Sequence, residues 1–183
     1  MHAERLAIPD VILLRPKVNR DERGFFVETA NTRTLEKLGV PGPFVQDNQA
    51  LSVQVGVLRG LHYQKAPHAQ GKLVRVLKGR IFDVAVDARG ASPTFGKAVW
   101  AELTAEGMEQ LWVPAGFAHG YVTLEPGAEV FYKVTDFYAP ETEGGVIWND
   151  PDLAIPWPVP AKGPVLSPKD CVLPRLRDIP PPF

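Results

Sequence analysis

Short apolar or alternating segments recur along the chain with turn formers between them: VILLR (11–15), GFFVE (24–28), KLVRVL (72–77), RIFDVAVD (80–87), GKAVWAEL (96–103), EQLWVP (109–114), AHGYVTL (118–124) and AEVFYKVTD (128–136). Alternation with a period of two marks strands that bury one face. Many short strands at this spacing predict an all-β fold, an antiparallel β-sandwich of the jelly-roll kind. Within RIFDVAVD, Phe82, Val84 and Val86 share one face while Asp83, Ala85 and Asp87 share the other. Lys78-Gly79 reads as a two-residue hairpin turn, the glycine relieving positive-φ strain. The best short helix is NTRTLEKL (31–38), stopped by Gly39 and Pro41. No long helical period and no internal repeat is present.

Proline punctuates the end of the chain: ten of 19 lie between Pro151 and Pro182. Proline lacks an amide donor and fixes φ, so this stretch cannot be a central strand or a helix interior. Trp148, Leu153, Ile155, Trp157 and Leu166 supply apolar anchors, which predicts an ordered wrap over the body with fraying in the final IPPPF. The expected organisation is one domain over residues 1–183, with a core near 10–140 and the wrap near 141–183.

Composition narrows the function. Twenty basic residues nearly cancel 21 acidic ones, leaving a net charge of −1, so the basic footprint of a duplex nucleic-acid binder is missing. A single cysteine, Cys171, cannot form an internal disulfide and fits a reducing, cytoplasmic setting. No apolar run approaches a membrane span, and Glu4, Arg5, Pro9 and Asp10 interrupt the N-terminal apolar stretches as no signal peptide would.

Several polar side chains sit at odds with the pattern. Lys72 lies on the face of Val74 and Val76, where it either snorkels out at the strand end or lines a wet cavity. Tyr132 shares a face with Val130 and Val134, and His119 aligns with Tyr121 and Thr123. In GVLRGLHYQ (56–64), Arg59 and His62 are three apart, so strict alternation places them on opposite faces. If both serve one site, the strand must bulge, and Gly60 is the natural place. His2 and His68 read as solvated. Cupin barrels commonly bind metal through a His-x-His pair, but here Gln64 follows His62, so that pair is absent and no metal is expected.

Taken together, DERGFFVE (21–28), FVQDN (44–48), GVLRGLHYQ (56–64), AQGKLVRV (69–76), FDVAVD (82–87), SPTFG (92–96), LWVPAGFAHG (111–120), YKVTDFYAP (132–140), WNDP (148–151) and LSPKD (166–170) resemble the dTDP-4-dehydrorhamnose 3,5-epimerases. The resemblance implies a cupin jelly-roll homodimer with neither metal nor organic cofactor. It would invert the carbons on both sides of the ketone of dTDP-4-keto-6-deoxy-D-glucose. Close relatives that invert one carbon only, and a cupin that merely binds a nucleotide sugar, stay open as alternatives.

By the family pattern His62 is the general base, Asp170 holds its imidazole, Tyr132 is the acid and Lys72 stands beside the developing enolate. Arg23, Phe26, Glu28, Gln46, Asn48, Arg59, His119, Glu143 and Lys169 match substrate-contacting positions, and Tyr138 matches an aromatic stacked on thymine. Exchanged N-terminal strands would carry Arg23, Phe26 and Glu28 into a neighbour's pocket. From the Lys78-Gly79 hairpin, Asp83 is expected to pair with Lys72.

Overall fold

Two antiparallel sheets face each other in the computed structural model, which describes residues 1–183. The six-stranded sheet runs in the order β1 (His2–Arg5), β2 (Ile12–Arg15), β10 (Gln110–Val113), β7 (Lys72–Lys78), β12 (Ala128–Val134) and β5 (Gln46–Ser52). The five-stranded sheet runs β13 (Glu143–Gly145), β6 (Leu58–Gln64), β11 (Phe117–Thr123), β8 (Arg80–Asp87) and β9 (Ala98–Thr104). β3 (Val18–Asp21) and β4 (Gly24–Val27) form a hairpin outside both sheets, followed by the helix α1 (Thr32–Lys37). This is the antiparallel sandwich the strand pattern predicts, in the cupin-like form the family resemblance implies.

The period-two faces explain the layers. Val74, Val76 and Val130 from one sheet meet Ile81, Ala85, Leu103 and Tyr121 from the other in the central core. The opposite face of β8, with Val84 and Val86, is buried too, against Leu61 and Tyr63 of β6 and Leu153, Ile155, Trp157 and Leu176 of the C-terminal segment. Each fully buried aliphatic side chain of this kind contributes about 1.5–3 kcal/mol. On the far side of the six-stranded sheet, Ile12, Leu14, Leu73 and Trp112 are covered by Leu35 of α1 and Val40. Asn31 caps that helix by accepting from the Thr34 amide at 3.2 Å, and Gly39, at φ +88°, ends it.

The proline-dense segment is an ordered wrap held by more than apolar contact. Trp157 Nε1 donates to the Trp148 carbonyl at 2.8 Å, the Leu176 amide donates to Asp150 Oδ2 at 2.9 Å, and Leu58 and Val165 are joined by an amide–carbonyl bond of 3.0 Å. The final residues are docked instead of frayed. Phe183 packs edge-on against Tyr63, centroids 5.8 Å apart, and its carbonyl accepts from the Gly90 amide at 2.8 Å. Phe183 anchors the end of the chain, with Pro181 seated against Gly90.

Lys78-Gly79 is not a hairpin. β7 pairs with β10 and β12, whereas β8 pairs with β11 and β9, so the chain crosses between layers at Gly79. Val74 and Val76 point at the same core as Ile81 and Ala85, which requires their strands to lie in opposite sheets. The glycine is still needed, at φ +75° with a notional Cβ 3.2 Å from Ala128 Cα. Four strands escape the apolar pattern: β1, β3, β5 and β13, whose sequences HAER, VNRD, QDNQALS and EGG carry few apolar side chains.

Candidate active site

Where the central core ends, the inner faces turn polar and enclose a cavity of about 420 Å³. A second pocket of about 200 Å³ adjoins it, and His62, Lys72 and Tyr132 line both. His62 comes from the five-stranded sheet; Lys72 and Tyr132 come from the six-stranded one.

A bulge brings Arg59 and His62 together. Against β11, His62 is opposite His119 and Arg59 is opposite Tyr121, so three steps on β6 match two on β11. Gly60 carries the displacement at φ +121°, pressed so closely to β11 that a Cβ would stand 2.6 Å from Gly120 Cα and 2.7 Å from the His119 carbonyl oxygen. Both Arg59 and His62 consequently line the large cavity.

The His62 imidazole is held from behind. Its Nε2 lies 2.5 Å from Oδ1 of Asp170, a carboxylate of the wrap that is only 3% exposed. Burial alone would raise the Asp170 pKa, but hydrogen bonds from His62, Ser167 and the Gly60 backbone outweigh it and hold the carboxyl below its usual range. An ionised Asp170 accepts from one ring nitrogen and leaves the other basic.

Lys72 does not snorkel to the surface. It lines both the large cavity and the adjoining pocket, with Nζ 3.4 Å from the His62 carbonyl oxygen, and burial pushes its pKa down to about 8 against the partial support of the Asp83 and Glu143 charges. The expected Lys72–Asp83 pair is not formed. Asp83 Oδ1 instead takes His119 Nε2 at 2.6 Å, because β8 neighbours β11 and not β7. Tyr132 rests half-buried on the central core, and burial raises its phenol despite the nearby Arg59 charge.

The adjoining pocket is a connected polar set. Gln46 Nε2 donates to Asn48 Oδ1 at 2.9 Å, and the Tyr138 amide donates to Gln46 Oε1 at 3.0 Å. Tyr138 donates its hydroxyl to Glu143 Oε2 at 3.1 Å, while Lys169 Nζ lies 2.6 Å from Glu143 Oε1. Burial would raise Glu143, but Lys169 and Tyr138 hold it below the usual value.

Arg23, Phe26 and Glu28 are not brought to this cavity. Arg23 pairs with Asp21 at 2.6 Å with its side chain 85% exposed, Phe26 is 74% exposed, and Glu28 accepts from Asn31 Nδ2 at 3.3 Å. Two contributors were missed by sequence reasoning. Gln64 ties strand to loop, accepting from the Ala139 amide at 3.0 Å and donating to the His68 and Phe137 carbonyls at 2.7 and 3.1 Å. Tyr121 lines the large cavity, and its shared face with His119 was the available signal. No group of three His, Cys, Asp or Glu side chains is placed to hold a metal ion, and no helix is long and apolar enough to cross a membrane.

Fold and site together define a cupin-type jelly roll whose two layers bring His62, Lys72 and Tyr132 to one cavity. The family described as dTDP-4-dehydrorhamnose 3,5-epimerase matches residues 5–178. The epimerase of that name from Pseudomonas aeruginosa is 57% identical over 171 residues, covering 93% of each chain. A crystal structure of the dTDP-6-deoxy-D-glucose-3,5-epimerase from Legionella pneumophila, in complex with dTDP-4-keto-L-rhamnose, superposes with a TM-score of 0.93 at 47% identity, covering 98% of this chain and 94% of that one. A 3′-monoepimerase from Streptomyces bikiniensis in complex with dTDP-quinovose superposes with a TM-score of 0.88 at 34% identity, covering 97% and 88%. The chain belongs to the dTDP-4-dehydrorhamnose 3,5-epimerase family, a family of isomerases.

Proposed function

We propose that this cavity inverts C3 and C5 of dTDP-4-keto-6-deoxy-D-glucose to give dTDP-4-keto-L-rhamnose, using side chains alone. A hydrogen next to a ketone is acidic because the electron pair left behind spreads onto oxygen. His62 takes that proton, the C–H pair moves into the enolate, and Lys72 steadies the charge on oxygen. Tyr132 then gives its phenolic proton to the same carbon from the other face. The proton on His62 returns to water and Tyr132 is reprotonated, so the cycle closes and repeats at the second carbon.

The observation that carries this reading is that His62 and Tyr132 reach one cavity from opposite sheets, with Lys72 lining the same space. Arg59 and Lys169 are assigned to the diphosphate, since cations grip phosphate oxygens well. Tyr138 is assigned to the thymine ring, and Gln46, Asn48, His119 and Glu143 to polar groups of the substrate. Residues 1–183 act as one cytoplasmic unit, paired as a homodimer that exchanges the β3–β4 hairpin so that Arg23, Phe26 and Glu28 complete the other copy's cavity. The solvent exposure of Phe25 and Phe26, 58% and 74%, supports that pairing.

The test is incubation with dTDP-4-keto-6-deoxy-D-glucose in deuterated water, with a reductase to trap the product for NMR. Inversion and deuterium at both C3 and C5 are expected. Likeness to the monoepimerase favours one second reading, inversion at C3 alone, which the same spectrum distinguishes. Exchange at neither carbon overturns both.

A further inference from the structure

Five buried side-chain polar atoms lack a hydrogen-bond partner: Ser52 Oγ, His68 Nδ1, Arg80 Nε, Asp83 Oδ2 and Tyr121 OH. His68 Nδ1 and Arg80 Nε each have a carboxylate oxygen 3.4 Å away. The other three belong to one neighbourhood. Asp83 and Tyr121 are register partners on β8 and β11, and the Ser52 hydroxyl is near enough to act on the Tyr121 phenol.

Tyr121 is only 4% exposed, with its ring in the central core, yet it lines the large cavity beside Arg59 and Tyr132. Ser52, 2% exposed, extends the β5 face that presents Asn48 and Ala50 to the pockets. A tyrosine here costs more than a phenylalanine unless something arrives to use its hydroxyl, because a buried donor left unpaired loses its hydration without return.

We propose that Tyr121, with Ser52 beside it, is a sugar-positioning residue that donates a hydrogen bond to an oxygen of the bound hexose at the inner end of the cavity. This rests on the epimerase reading and adds a specificity determinant to it. Burial pushes the Tyr121 phenol up to about 12, against the opposing Arg59 charge, so it stays a donor while Tyr132 cycles its proton. Tyr121 stands in the large cavity with His62, whereas Tyr138 lines the adjoining pocket. That excludes the thymine as its partner, and because Arg59 and Lys169 line the same cavity, affinity for dTDP alone separates a bond to the sugar from one to the diphosphate. Sites that pair a substrate oxygen with a buried donor discriminate far more sharply than apolar pockets of the same shape.

The test compares the parent protein with Tyr121→Phe, which keeps the ring and removes only the hydroxyl. Calorimetric affinities for dTDP and for dTDP-L-rhamnose are measured beside the melting temperature. The variant is expected to lose about tenfold or more in affinity for the sugar nucleotide while binding dTDP as the parent does. Its melting temperature changes little, since in the free protein the hydroxyl has the Ser52 hydroxyl nearby but makes no hydrogen bond of good geometry. A fall in melting temperature with both affinities unchanged overturns the proposal, making the hydroxyl a structural group. Equal losses for both ligands overturn it as well, as does a parent that binds the sugar nucleotide no better than dTDP. Failure of the epimerase reading shows separately, as a parent that binds but does not exchange solvent deuterium into the ketosugar.

Discussion

His62 and His119 are register partners across β6 and β11, and each imidazole is gripped by a carboxylate from a different part of the chain, Asp170 of the wrap at 2.5 Å and Asp83 of β8 at 2.6 Å. The two dyads differ in setting: the His62 side chain is 27% exposed toward the cavity, and that of His119 is 8% exposed. Asp170→Asn keeps the shape but removes the charge that stabilises an imidazolium on His62. Turnover is expected to fall by about 10²-fold or more with KM near the parent value. Steady-state kinetics with the trapping reductase in excess reads this directly.

Lys72 sets an alkaline limit. With its pKa lowered to about 8, the ammonium is lost as pH rises past that value, and kcat is expected to fall with it. Stability runs the other way: between pH 8 and 10.5 the unfolded chain holds more proton on this lysine than the folded one, so the folded state gains as pH rises across that window. Lys72→Met should therefore hold or raise the melting temperature at pH 7 while lowering kcat by about 10²–10³-fold. A pH–rate profile and thermal melts of both proteins check the pair of expectations.

In the proposed reaction His62 and Tyr132 divide the proton transfers, so their variants should separate them. His62→Ala is expected to abolish deuterium uptake by the ketosugar as well as inversion. Tyr132→Phe should retain uptake at carbons next to the ketone while losing most inversion. NMR of the sugar in deuterated water distinguishes these, and uptake by His62→Ala at the parent rate would remove His62 from the role of base.

Gly60→Ala tests the bulge. The new methyl would meet Gly120 and the His119 carbonyl at under 3 Å in a φ region that L residues avoid. A loss of about 1–3 kcal/mol in denaturant unfolding is expected, with activity falling further because Arg59 and His62 lose their common side.

The strands that bury a face were legible because alternation is imposed by the pleat: KLVRVL and RIFDVAVD appear as β7 and β8 at nearly the residues read from the pattern. β5 was not legible, since of its inward residues Gln46, Asn48 and Ala50 line the pockets and Ser52 is buried, a set that leaves no apolar signal. The kink that unites Arg59 with His62 could be located at Gly60 from spacing alone. Which sheet each strand joins could not, and the misplaced hairpin at Gly79 led directly to the wrong partner for Asp83. Pairing across layers depends on contacts between distant residues that local pattern does not encode.

The wrap supplies both Asp170 and Lys169, more than a hundred positions beyond His62. During synthesis, His62 therefore emerges long before the carboxylate that holds its ring, and the dyad forms only when the last stretch of polypeptide folds back over the sandwich.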